Sequence, residues 1–203
     1  MLVLMTSGRL VERKQQQARR RIVQAAAELF ADRGFDSVSV SDIAERAEVG
    51  RTTFFRHFGD KQEVVFAHER ELLAGLDADA IHAPPGGGRT ATDALLALQP
   101  FVLRLCALIA SDPDEYRSHH RLIEANAELQ ARSAAKAQLI AHRLRALLVE
   151  QGWESDVATF AGHVAVACFA SARDTCGDAP EALPEAARTA FAQALSLGAP
   201  SGQ

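Results

Sequence analysis

The chain is poor in the residues that staple small proteins together. Its 203 residues hold three cysteines, Cys106, Cys168 and Cys176. An odd number at that spacing suits neither a disulfide framework nor a zinc-ligand pattern, so three reduced thiols in apolar helices are expected. Long hydrophobic runs are scarce too. The longest uncharged apolar stretch, residues 157–172, contains Gly162 and His163. It falls short of the ~20 residues a membrane span needs. The opening MLVLMTSGRL has no basic residue ahead of its short apolar patch, which is unlike a signal peptide. A cytoplasmic protein with no membrane partner is expected. Alternating apolar and polar runs are missing, which argues against sheet. No glycine loop is followed by Lys-Ser/Thr, and no nucleophile stands at a recognisable spacing from a base. Nothing therefore marks an enzyme, a cofactor site or a metal site. His119 and His120 are adjacent and would point about 100° apart on a helix, which suits no shared metal.

What the chain does have is Leu, Ala, Glu, Arg and Gln, the good helix formers. An all-α fold is expected. Residues 1–12 are expected as a flexible tail, 13–60 as a small head and 61–199 as a larger helical body. Charge divides along the same line. Residues 1–61 carry 11 Lys and Arg against 8 Asp and Glu, and the remainder carries 11 against 18. A basic head on an acidic body fits phosphate contact, or only a solvated surface. The run Pro84-Pro85-Gly86-Gly87-Gly88 is the strongest break and is expected to be a flexible connection.

Within the head, Ile22, Ala25, Ala26, Leu29 and Phe30 form one apolar stripe on a helix over 13–33, closed by Gly34. Ser39-Val40-Ser41-Asp42 has the form of a capping box that starts a short helix. Glu48-Val49-Gly50 makes a turn, and a second short helix follows from Arg51 to His57, within the run Arg-Thr-Thr-Phe-Phe-Arg-His-Phe at 51–58. Phe54 and Phe58 are four apart and share a face that can pack on the first helix. Arg51, Thr52, Thr53, Arg56 and His57 are left more outward. Two short helices joined by a tight turn are the helix-turn-helix plan, whose second helix enters the DNA major groove. Arginine there reads guanine edges or holds phosphate, and threonine can bond bases or offer its methyl to thymine. A plain helical hairpin is the competing reading.

Residues 28–65, ELFADRGFDSVSVSDIAERAEVGRTTFFRHFGDKQEVV, resemble the N-terminal domain of TetR-type transcriptional repressors in order and spacing, without a gap. The resemblance implies a homodimer that binds a palindromic double-stranded DNA operator and releases it on binding a small-molecule effector of unknown identity. It implies a capping and phosphate role for Ser39. Arg51, Thr52 and Thr53 would face the groove, and His57 and Lys61 would lie near the DNA backbone. Four positions depart from the family pattern, one of them Thr52, which replaces a frequent glycine. Phe55 stands where a tyrosine usually reaches phosphate, which leaves it packing or sugar contact. Glu48 replaces a turn glycine. Gly50 replaces a capping serine or threonine. The 51–58 run is similar to a branch of the family common in actinobacteria, some of whose members answer acyl-CoA-like ligands.

In the body, Phe101, Arg104, Tyr116, His119, Asn126 and Phe160 are the polar or aromatic residues in apolar context that could line an effector pocket. Phe101 and Phe160 could equally be core, and Arg104 could lie at the surface. Ala158, Gly162, Ala165 and Phe169, with Phe191 and Leu195, follow helical spacing and could form a dimer interface. The same stripe could instead be the subunit's own core. A long helix from Lys61 to near Ile81 is expected to link head and body.

Overall fold

The computed structural model describes residues 2–67, 81 and 89–197. The chain divides into two compact units, Met1–Glu71 and Leu72–Gln203. Among the described residues there are helices and turns and no strand.

The first unit contains α1 (Leu2–Arg33), α2 (Val40–Arg46), α3 (Arg51–His57) and α4 (Lys61–Val65). Helix α1 begins at Leu2, so the segment expected as a tail continues the helix; residues 1–12 contain no proline to stop it. Gly34, at φ +76°, ends α1, and its N–H bonds the Phe30 carbonyl at 3.0 Å. The apolar stripe of α1, Ile22, Ala25, Ala26, Leu29 and Phe30, is buried as expected, as are Phe35, Ile43, Ala44, Phe54 and Phe58, and α1 packs on α2 and α3. Helix α4 packs on α1, which moves the boundary of the head beyond the expected residue 60. The linking helix expected from Lys61 to near Ile81, and the Pro-Gly connection at 84–88, fall outside the described residues apart from α4 and Ile81.

The second unit contains α5 (Ala91–Ala110), α6 (Pro113–Glu124), α7 (Ala127–Glu150), α8 (Ser155–Cys176), a 3-10 turn (Pro180–Ala182) and α9 (Leu183–Leu197). Thr90 and Asp93 form a capping box at the start of α5, and Asp112 caps α6 ahead of Pro113. Pro100 lies inside α5 without splitting it. Helices α5 and α8 are long and apolar enough to cross a membrane. Here each buries a face in one core with α7 and α9, built on Leu98, Phe101, Leu144, Leu148, Trp153, Ala161 and Phe191.

That core bears on the two readings of the small-residue stripe. Ala158, Ala165 and Phe191, read as dimer contacts, are fully buried by the subunit itself, and Gly162 is buried with them. Small residues on α8 serve a close approach to α7. A Cβ at Gly162 would stand 2.8 Å from the Ala141 carbonyl oxygen. Phe169 and Leu195 are partly buried against the same core. Helical spacing shows that a face is buried but not which chain buries it.

Gly162→Ala is expected to push α7 and α8 apart and destabilise the second unit by about 1–3 kcal/mol. A thermal melt checks this; an unchanged midpoint would mean the helices can separate without cost.

Candidate nucleic-acid interface

The turn and the two short helices are built from local rules. Ser39 is the N-cap of α2; its hydroxyl accepts from the Asp42 N–H, and the Asp42 carboxylate accepts from the Ser39 N–H at 2.8 Å. The hydroxyl and N–H of Ser39 hold the Asp42 carboxyl below its ordinary range. Helix α2 then ends in a Schellman motif: Val49 N–H bonds the Ala44 carbonyl at 2.9 Å and Glu48 N–H bonds the Glu45 carbonyl at 3.0 Å. The motif requires a left-handed residue, and that residue is Glu48, at φ +52°. A non-glycine there costs of order 1–3 kcal/mol. Gly50 follows as N-cap of α3 and offers no side-chain cap.

Helix α3 has two faces. Phe54 and Phe58 are buried, with ring centroids 5.9 Å apart. The Arg19 guanidinium lies 4.6 Å over the Phe58 ring. Arg51, Thr52, Phe55 and Arg56 point outward, and Thr53 and His57 are half-buried at the edges. Phe55 is 48% exposed and meets Phe54 edge-on at 5.5 Å. An exposed phenylalanine between two arginines offers an apolar ring for sugar or a thymine methyl, flanked by cations for phosphate or guanine. Arg56 is exposed on the same outward face as Thr52, as its spacing of four predicts.

Burial first, and then the Arg19 and Arg56 charges, hold the His57 pKa below its ordinary value. Lys61 is turned to the loop before α2. Its Nζ donates to the Phe35 carbonyl at 2.9 Å and the Val38 carbonyl at 3.1 Å, and sits 4.2 Å over the Phe35 ring. Two of its three donors are thereby engaged in orienting the segment that leads to Ser39.

On the other side of α2, Arg46 bonds Glu28 of α1, with Nε–Oε2 at 3.0 Å. Arg46 first, then Gln24, holds the Glu28 carboxyl below its ordinary range. Arg21 of α1 donates to the Glu48 carbonyl at 3.2 Å and to its carboxylate at 3.4 Å. Arg21, Gln24, Ala25, Glu28, Arg46, Ala47 and Glu48 line an open groove of about 280 Å³.

The residues expected around an effector differ in burial. Phe101 and Tyr116 are in the core of the second unit, and the Tyr116 hydroxyl lies 3.3 Å from the Cys176 Sγ. Arg104 is exposed, and Phe160 is 56% exposed. Asn126 sits at the α6–α7 junction and donates to the Leu122 carbonyl at 2.7 Å. His119 is half-buried on α6, next to His120, which stacks on Tyr116 at 5.6 Å. The three cysteines are buried and unbonded, and burial pushes the Cys106 thiol up to about 12.

Known proteins place this geometry. Residues 22–67 match the family described as bacterial regulatory proteins, tetR family. The chain is 39% identical over 72 residues to the transcriptional regulator TcmR of Streptomyces glaucescens, covering 34% of this chain and 32% of that one. It is 50% identical over 46 residues to the transcriptional repressor Rv3405c of Mycobacterium tuberculosis, covering 23% and 24%. The aligned segments thus span a third or less of either relative's length. In fold, it resembles Thermus thermophilus FadR, a TetR family repressor solved with lauroyl-CoA, at TM-score 0.54 and 26% identity over 91% of this chain and 96% of that one.

Ser39→Ala removes a cap and is expected to destabilise the head by about 1 kcal/mol. The lowered Asp42 pKa adds a pH dependence. Its contribution is present above the ordinary carboxylate value of about 3.9 and is lost as pH falls through the lowered folded value. Acid unfolding followed by circular dichroism should therefore be shallower in Asp42→Asn; an identical profile would show that the capping box adds nothing to acid stability. Residues 22–67 thus match the tetR family of bacterial regulatory proteins, and nine-tenths of the chain shares the fold of a TetR family repressor.

Proposed function

We propose that the protein is a cytoplasmic, ligand-responsive transcriptional repressor that binds a palindromic operator as a homodimer. The observation that carries the proposal is the two-faced helix α3, with Phe54 and Phe58 anchored and Arg51, Thr52, Phe55 and Arg56 free to enter a groove. The repressor reading is supported by Rv3405c and FadR, both named repressors. A dimer reads two half-sites about one helical turn apart or a multiple of it. A ligand that prefers one spacing of the heads shifts the dimer on or off DNA.

The face available to a second copy is the outer side of α8. Phe160 is a large exposed apolar side chain there, and Ala167 and Ala170 share its exposure. These replace the buried Ala158, Gly162 and Ala165 as the proposed contact. For the effector, an acyl-CoA-like thioester is the class we test first, on the likeness to FadR in its lauroyl-CoA complex.

Selection from a random duplex library by the purified protein should enrich a palindrome. On that duplex, Arg51→Ala should lose specific binding, by about tenfold or more for one bidentate base contact, with an unchanged melt. Equal affinity would remove Arg51 from the groove. Phe160→Asp should shift the mass measured by light scattering from dimer to monomer; a dimer retained would move the interface elsewhere. Lauroyl-CoA should release wild-type protein from the duplex, and failure to do so would exclude that effector class.

A further inference from the structure

We propose that Arg21 and Glu48 form a latch that aims the recognition helix α3, with Arg21 acting as a positioning residue. This rests on the reading of α3 as the DNA-contacting helix. The chain closes two helices with the same Schellman pattern. At the end of α7, Trp153 N–H bonds the Leu148 carbonyl at 3.1 Å, Gly152 N–H bonds the Val149 carbonyl at 2.9 Å, and the left-handed position is Gly152 at φ +88°. At the end of α2 the pattern of bonds is the same, but the left-handed position is Glu48 at φ +52°. Glycine adopts that conformation freely, and glutamate does not. Something outside the turn must hold it.

Arg21 is that group. Its two terminal nitrogens reach the Glu48 carbonyl at 3.2 Å and the Glu48 carboxylate at 3.4 Å. The carbonyl bond fixes the peptide plane that leads to Val49, and Gly50, two residues on, begins α3 without a side-chain cap. The direction of α3 at its start therefore depends on the turn and on what holds the turn. At its other end α3 is held to the same helix: Arg19, two residues before Arg21, lies over Phe58. Helix α1 thus grips α3 from both ends, at Glu48 before it and at Phe58 after it. A misdirected α3 would carry Arg51 and Thr52 out of register with the bases, and small misplacements of that kind are read directly as lost affinity.

Arg21 is also a cation on the head, so its loss could weaken DNA binding merely by removing a phosphate contact. The carboxylate of Glu48 could likewise repel phosphate. A double-mutant cycle separates these from a latch. Affinity for the selected duplex and its salt dependence would be measured for wild type, Arg21→Ala, Glu48→Gly and the double variant. A latch predicts that Arg21→Ala weakens binding about fivefold or more with the salt slope unchanged. Glu48→Gly binds at least as well as wild type. In the double variant glycine holds the turn unaided, and affinity returns to within about twofold of Glu48→Gly alone. The rescue is the signature, because a misfolded Arg21→Ala head would melt early and a lost phosphate contact would persist in both backgrounds.

Additive effects, with the slope falling by about 0.9 on loss of Arg21, would make Arg21 a phosphate ligand and overturn the latch. A wild-type protein that binds no duplex would overturn the DNA reading, and the latch with it.

Discussion

Everything in the head depends on two phenylalanines under one helix. Phe54 and Phe58 bury themselves beneath the α1 stripe, and the rest of α3 is left facing out. A seven-residue helix has too few internal bonds to stand alone. Tertiary packing supplies what length does not, and the same packing fixes which residues are presented. The odd mixture at 51–58 is then one core anchor and one polar face on the same two turns. The contacts around it serve that anchor: the Ser39 capping box starts α2, Lys61 ties the preceding loop, and Arg19 and Arg21 bracket α3.

The second unit follows a different logic. Its helices are longer, their caps are regular, and their interfaces are made of alanine, glycine and leucine. Gly162 against the Ala141 carbonyl marks where two helices come closest. Such a core fixes the shape of the unit and leaves Phe160 exposed on the outer side of α8.

Much of the head was legible in the sequence because its determinants are local. Ser39 and Asp42 are three apart, and Phe54 and Phe58 four apart. The left-handed turn at Glu48 was legible only as a departure from the family pattern. What holds it was not, because Arg21 lies 27 residues away. Lys61 illustrates the same limit: its carbonyl acceptors are 26 and 23 residues back, and a lysine near a DNA-binding helix reads first as a phosphate ligand. In the second unit the periodicity found the buried stripe of α8 and left open whether the subunit or a second copy covers it; the subunit's own core does. Spacing shows a face, and only the fold shows what covers it. The effector residues were chosen by chemical type, and type alone does not tell that Phe101 is buried while Arg104 and Phe160 are exposed.

The claim at the centre is that the outer face of α3 meets DNA while the outer face of α8 meets a second copy. Photo-crosslinking tests both at once, with a benzophenone side chain placed at position 55 in one protein and at position 160 in another, each mixed with the duplex the wild type selects. The account predicts DNA adducts from position 55 and protein–protein adducts from position 160. DNA adducts from 160, or none from 55 in a protein that still binds the duplex, would contradict it.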